Sequence, residues 1–134
     1  MNRLPGHIVS VKEHGALSAV TVNVGHEVLI QAIVIETSET AAYLQSGKEI
    51  IALFKETAVT LDTGTAETNS AQNRITAAVA QIEKGVLLTN VRLRSIVGEI
   101  DAVLPTESIE RLAITRGAQV TVLIMSNEIM LAET

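Results

Sequence analysis

Residues 2–6 read Asn-Arg-Leu-Pro-Gly, and residues 73–77 read Asn-Arg-Ile-Thr-Ala. Each run opens a block of about 60 residues in which strand-like apolar segments, a short polar segment and a glycine follow in the same order. The repetition predicts two equivalent small domains, at residues 1–63 and 70–134, joined by a small, polar linker at 64–69. Domains of this size bury only about 60% of their unfolded surface, so neither is expected to be very stable alone.

Both blocks are rich in Val, Ile and Thr, in short runs that are typical of strands. We predict five strands in each block, at 7–11, 17–24, 27–35, 49–55 and 58–61 in the first and at 77–82, 89–94, 98–104, 119–125 and 128–131 in the second.

One short helix is predicted between the third and fourth strands of each block, at residues 38–44 and 107–112. Thr37 and Thr106 are the expected N-caps, because their hydroxyls can accept hydrogen bonds from the free amides of the first turn.

A glycine follows each predicted helix, Gly47 in the first block and Gly117 in the second. Glycine adopts a left-handed backbone at little cost, which suits the end of a helix. Five strands with a helix between the third and the fourth are typical of a small OB-type barrel. The predicted fold is therefore mainly β, with two tandem five-stranded OB-like barrels, each carrying one short helix.

The composition excludes several classes of function. There is no cysteine, and the chain has one Tyr, one Phe and no Trp, with a net charge of −5. A site for single-stranded nucleic acid needs exposed rings for stacking and a basic surface for the phosphates, and both are lacking here. A nucleic-acid-binding OB protein is therefore the least favoured interpretation.

Catalytic and membrane functions are also not indicated. No Ser/His/Asp arrangement is evident and no cysteine nucleophile exists, so we do not expect an enzyme. Gly47-Lys48 lacks the other residues of a phosphate-binding P-loop, and no organic cofactor is predicted. No stretch approaches the ~20 apolar residues that a membrane-spanning helix requires, so a cytoplasmic protein without membrane insertion is expected.

Some predicted strands are apolar on successive residues, as at 28–30, 50–54 and 120–125. A strand whose outer face meets water normally alternates, so these runs predict that the outer faces are covered by the other block or by another chain. We therefore expect a homo-oligomer. Arg92 and Arg94 share one strand face, where cross-strand pairing with Glu99 and Asp101 is expected, with a second anion site on an oligomer axis as the alternative.

The segment Ser70-Ala71-Gln72-Asn73 resembles the Ser-Ala-Arg-Asn signature that opens the molybdate-binding Mop domains, also called TOBE domains. The turn at 82–85 (Ile-Glu-Lys-Gly) and the segments at 47–50 (Gly-Lys-Glu-Ile) and 53–57 (Leu-Phe-Lys-Glu-Thr) are similar to that family as well. The resemblance implies OB-like barrels that exchange strands and assemble into a ring of six domains, which favours a trimer of this two-domain chain over a dimer. It also implies that tetrahedral oxyanions, molybdate or tungstate, are held between domains.

In the family, the signature segment of one domain and a Thr, a Ser and a Lys of its neighbour contact the anion. By this resemblance the second block supplies Ser70, Ala71 and Gln72, with Gln72 replacing the arginine. The first block supplies Ser38 and Lys48, whereas Ile35 replaces the threonine. The resemblance thus implies a composite oxyanion site built from unlike halves.

The reciprocal pair of half-sites is degraded. The second block keeps Ser108 but has Pro105 and Ala118 where the threonine and lysine are expected, and the first block has no signature before Asn2. Two hypotheses follow: intracellular storage or homeostasis of molybdate or a similar oxyanion, and a structural or protein-interaction module of a transporter or regulator with eroded pockets. Lys48 as a solvated loop lysine and Ser38 as a capping residue remain alternatives at this stage.

Overall fold

The structure is a computed structural model that describes residues 1–64 and 69–134. Its strands are β1 Asn2–His14, β2 Leu17–Asn23, β3 Leu29–Val34, β4 Glu49–Phe54, β5 Thr60–Asp62, β6 Asn73–Lys84, β7 Leu88–Ser95, β8 Gly98–Pro105, β9 Gln119–Ile124 and β10 Met130–Glu133. Helix α1 spans Thr106–Arg111, and single 3-10 turns lie at Glu56–Ala58 and Ser126–Glu128. Of the predicted linker, residues 65–68 lie outside the described part.

The ten strands form two five-stranded sheets that exchange their last strands. One sheet has the order β10-β4-β1-β2-β3 and the other has the order β5-β9-β6-β7-β8. The last strand of each block is therefore hydrogen-bonded to the fourth strand of the other block, with Leu131 opposite Ala52 and Leu61 opposite Val122. Because each sheet is completed by the other block, the two halves of the chain are interlocked.

The first strand of each block organises its sheet. β1 pairs with β4 over residues 2–7 and with β2 over residues 7–14, and β6 divides its partners in the same way. A break in register marks the change of partner, between Ile8 and Ser10 and between Val79 and Gln81. Both strands extend well beyond the predicted 7–11 and 77–82. Hydrogen bonds to two neighbouring strands keep these further residues extended, although their sequence shows no alternation of apolar and polar residues.

A continuous core of Val, Ile, Leu and Ala runs through both halves. Phe54 and Ile124, at the ends of β4 and β9, are fully buried. Ile51 and Leu53 on the opposite side of β4 are half-buried, and the exchanged β10 lies beside them, with Ala132 opposite Ile51 and Met130 opposite Leu53. The exchange therefore supplies apolar neighbours for this face within one chain.

The helix predicted at 38–44 is wrong, because this segment forms a series of turns. The amides of Thr40 and Ala41 both donate to the carbonyl of Thr37, and the Thr37 amide donates to the hydroxyl of Thr40 at 2.9 Å. The Thr40 hydroxyl also donates to the Thr37 carbonyl at 3.2 Å, and a hydroxyl that competes for a local carbonyl disfavours a continuous helix.

The second helix is confirmed, but its predicted cap is wrong. Pro105 is the N-cap and Thr106 is the first helical residue, without a side-chain cap bond. The buried Thr106 hydroxyl instead contacts the Thr89 hydroxyl at 2.8 Å and donates to the Gly85 carbonyl at 2.9 Å. Gly47 and Gly117 have the expected positive φ, 88° and 89°. Within residues 1–64 and 69–134, no helix has the length and apolarity to cross a membrane.

Candidate functional site

Lys48 lies in the tight turn that leads into β4. The Gly47 amide donates to the Ile8 carbonyl at 2.7 Å, and the Ile8 amide donates to the Lys48 carbonyl at 2.8 Å. These two bonds fix the backbone of the turn against the break in register of β1. The side chain is exposed and, among the described residues, has no ion pair. Its ammonium group is therefore available to an external anion.

Ser38 lies in the turns between β3 and β4 and is exposed. Its backbone amide donates to a carboxylate oxygen of Glu13, near the end of β1, at 2.6 Å. The hydrogen bond from this amide, followed by one from the Ser38 hydroxyl, lowers the pKa of Glu13 below its ordinary value. The donors of Ser38 thus already hold an anionic group, which a capping role for this serine does not account for.

The signature segment precedes β6. The Ala71 amide donates to the Asn69 side-chain oxygen at 3.0 Å, and Ser126 donates its hydroxyl to the Gln72 side-chain oxygen. Ser70 and Gln72 are exposed and Ala71 is half-buried. The segment therefore runs along the surface beside the second 3-10 turn, with its backbone partly held by its own side chains.

Asn73, the last residue of the signature, has a structural role. It is buried, and its side-chain amide bonds both backbone groups of Gln31 in β3. Asn2 makes the same pair of bonds to Asp101 in β8. The residue pattern did not reveal this role, although the matching Asn-Arg openings of the two blocks were a signal for it.

The five predicted site residues do not form one pocket within a chain. In the described part, no hydrogen bond or ion pair joins Ser38 or Lys48 to the segment 70–72. Asn73 docks on β3, while Lys48 precedes β4, and β1 and β2 lie between these strands. Three strand spacings correspond to ~14 Å along the sheet. The composite site therefore stays a prediction.

The equivalent turn of the second block confirms the loss of its lysine. The Gly117 amide donates to the Val79 carbonyl at 2.8 Å, and the Val79 amide donates to the Ala118 carbonyl at 2.9 Å. These bonds repeat those of Gly47 and Lys48, so Ala118 occupies the position of Lys48. The second block therefore presents no ammonium group at this turn.

A cavity of about 500 Å³ lies elsewhere, between the first 3-10 turn and strands β6 to β8. Glu56, Glu83 and Asp101 line it together with Arg92. Arg92 is already paired with Asp101 at 2.9 Å and with Glu99 at 3.5 Å, as the strand pattern predicted. The excess of carboxylates makes this cavity unfavourable for an oxyanion.

Comparisons with known proteins identify the family and support the fold. The TOBE domain model matches the chain twice, at residues 1–61 and 69–131. The chain belongs to the TOBE domain family, and the resemblance found in the sequence is confirmed. These two matches cover the two repeated blocks, and the fold is the predicted pair of tandem OB-like domains.

Among solved structures, the chain is similar to the cytoplasmic molybdate-binding protein ModG with molybdate bound. The identity is 27% and the TM-score 0.92, over 99% of this chain and 96% of ModG. MopII from Clostridium pasteurianum, in an apo form, is 28% identical with a TM-score of 0.45, over 47% of this chain and 96% of MopII. No curated protein matches the chain.

Proposed function

We propose that the protein binds molybdate, or a similar tetrahedral oxyanion such as tungstate, in the cytoplasm for storage or homeostasis. One observation carries the proposal: the chain matches ModG, solved with molybdate bound, with a TM-score of 0.92 over 99% of its length. The match covers 99% of this chain and 96% of ModG, so the two proteins share the tandem architecture. No organic cofactor is part of this proposal.

The site is the composite pocket between chains. Ser70, Ala71 and Gln72 of one chain face Ser38 and Lys48 of another. A dianion loses its hydration shell at considerable cost, so the pocket must supply several inward-pointing donors. Hydroxyls, backbone amides and one ammonium group meet this requirement, and the exposure of Ser38, Lys48 and Ser70 in the single chain supports it.

A homo-oligomer follows from the proposal, and a trimer is favoured because three chains supply six domains. Exposed apolar side chains support such an assembly. Ile35, Val86 and Leu87 are 82%, 93% and 80% exposed. Adjacent apolar residues exposed to this degree, as at Val86 and Leu87, are typical of an interaction surface. Native mass spectrometry of the wild type and of Leu87→Asp tests this: we expect trimers for the former and smaller species for the latter.

Calorimetric titration of the full chain with molybdate, tungstate and sulfate tests the binding function. Lys48→Ala should weaken molybdate binding by about 2–3 kcal/mol, because a charged hydrogen bond to a desolvated anion is lost. Lys12→Ala is the matched control, since Lys12 is another exposed lysine of the first block, on β1. Equal affinity in Lys48→Ala and Lys12→Ala would refute the composite site, and no binding by the wild type would refute the function.

The second candidate is a structural or protein-interaction TOBE module whose pockets have eroded. It is favoured by Ala118 in the position of Lys48 and by the pairing of Gln72, the arginine replacement, with Ser126. Thermal unfolding with and without each oxyanion separates the two functions. A ligand at 100 times its dissociation constant adds about 2.7 kcal/mol to the free energy of unfolding, whereas an eroded module shows no stabilisation.

A further inference from the structure

Glu13 holds the donors of Ser38 with its own carboxylate. The Ser38 amide lies 2.6 Å from Glu13 Oε1, although 25 residues separate the two in sequence. Both residues are exposed, so the contact forms at a surface where water could serve each group equally well. The short distance is typical of a charge-assisted hydrogen bond.

The chemistry of this contact is that of an anion site. A carboxylate oxygen is an acceptor only, like each oxygen of a tetrahedral oxyanion, and it uses the same amide and hydroxyl donors. Two donors of Ser38 act on the Glu13 carboxylate and together lower its pKa. An oxyanion that is to use Ser38 must therefore replace a group of the same sign and the same hydrogen-bonding type.

The second block lacks this arrangement. Lys84 occupies the position of Glu13, since Glu13 lies opposite Ser18 in the first hairpin and Lys84 lies opposite Thr89 in the second. The Lys84 ammonium pairs with Glu110 of α1 at 3.2 Å. Among the described residues, the carboxylate that accepts from this serine thus belongs to the block that also carries Lys48.

We propose that Glu13 is an internal competitor that occupies the Ser38 donors in the empty site and must leave when an oxyanion binds. This inference rests on the proposed oxyanion-binding function and identifies a residue that sets its affinity. Glu13 weakens binding and favours release, which suits a protein that stores an anion reversibly. A purely structural tie would have the opposite effect, because its loss would loosen the turns that present Ser38.

Calorimetric titration of the full-length protein with sodium molybdate tests the inference. Glu13→Ala removes the competing carboxylate and should lower the dissociation constant about tenfold, the equivalent of one charged hydrogen bond. Glu13→Gln keeps an uncharged acceptor and should have a smaller effect of the same sign. Glu39→Ala is the control, since it removes a negative charge next to Ser38 without freeing the Ser38 amide, and it should stay within about twofold of the wild type.

Three results would overturn the inference, and they are distinguishable. Wild-type or weaker affinity in both Glu13 variants, with wild-type binding intact, refutes the competitor and leaves the oxyanion function in place. An equal gain in molybdate affinity in Glu39→Ala would show that removing any nearby negative charge has this effect, without release of the Ser38 amide. Absence of molybdate binding in the wild type and in both Glu13 variants, with unchanged thermal unfolding, refutes the oxyanion function and this inference with it.

Discussion

The side-chain amide of Asn73 pairs with the backbone of Gln31 as a neighbouring strand would. Gln31 donates its amide to Asn73 Oδ1 at 2.7 Å, and Asn73 Nδ2 donates to the Gln31 carbonyl at 2.9 Å. Asn2 repeats both bonds with Asp101, each at 2.8 Å. Since β3 and β8 are edge strands, each asparagine satisfies edge groups of the opposite block. The same pair of bonds recurs in both blocks and links the two halves of the chain.

Asn73→Ala should lower the free energy of unfolding by about 2 kcal/mol, because two hydrogen bonds are lost and the partner groups are left in a half-buried place. Asn73 itself is only 1% exposed, so water does not replace the side chain freely. Urea unfolding monitored by circular dichroism measures the change. Asn90→Ala, at an exposed asparagine of β7, should be neutral within about 0.5 kcal/mol. Equal stability of the two variants would show that the Asn73 bonds contribute nothing net.

The strand exchange predicts that a change in the first block damages the second sheet. Leu61 of β5 is buried, and it lies opposite Val122 of β9. Leu61→Ala should cost about 3 kcal/mol through lost burial and the resulting cavity. Hydrogen exchange should show the loss of protection first in β9 rather than in β4. The neighbouring Thr60→Ala is the control, because Thr60 is exposed on the same strand. Loss of protection confined to β4 would contradict the exchange.

The sequence was sufficient for most strands, because Val- and Ile-rich runs bounded by glycine predict them directly. The residue pattern alone was insufficient for the exchange, since β5 and β10 are short apolar strands that fit the edge of either sheet, and only the family resemblance implied it. The helix at 38–44 failed because the Thr40 hydroxyl donates to the Thr37 carbonyl, a local competition that the residue pattern does not reveal.

Candidate ligands were predictable from residue types, but their surroundings were not. The contact between Ser38 and Glu13 joins residues 25 positions apart, and only the folded hairpin brings them together. In the same way, the asparagine of the signature was grouped with the ligand-binding segment, whereas the fold uses Asn73 to bond Gln31.

The chain has a single tyrosine, whose ionisation reports on one contact. Burial, followed by the hydrogen bond from its hydroxyl to Glu36 at 2.7 Å, raises the pKa of Tyr43 to about 12. An ultraviolet titration of the native protein should show tyrosinate forming near this pH, against about 10 in the urea-unfolded chain. Glu36→Gln should lower the native pKa. A native pKa at the unfolded value would contradict the contact.

The same shift fixes the sign of a stability change in alkali. Between the unfolded pKa near 10 and the folded value of about 12, the unfolded chain loses the Tyr43 proton first. The contribution of Tyr43 to the free energy of unfolding is therefore complete below the pKa of the unfolded chain. It is lost as the pH rises through the pKa of the folded protein. Urea midpoints should fall over this range in the wild type and less in Tyr43→Phe. Parallel curves for the two proteins would contradict the linkage.

Gly6 is required by a close approach of two backbones. A Cβ at this position of β1 would overlap the carbonyl oxygen of Asn23, which belongs to the backbone and cannot turn aside. Gly6→Ala should therefore destabilise the protein by about 1–3 kcal/mol, as overpacking does, and should shift the Asn23 amide signal in an NMR spectrum.

Ser10→Ala, at an exposed position of the same strand, is the control and should leave both stability and the Asn23 signal unchanged. The equivalent position of the second block is Ala77, which is buried opposite Ser95, so the close approach belongs to the first block alone. A neutral Gly6→Ala would contradict the close approach of the Gly6 and Asn23 backbones.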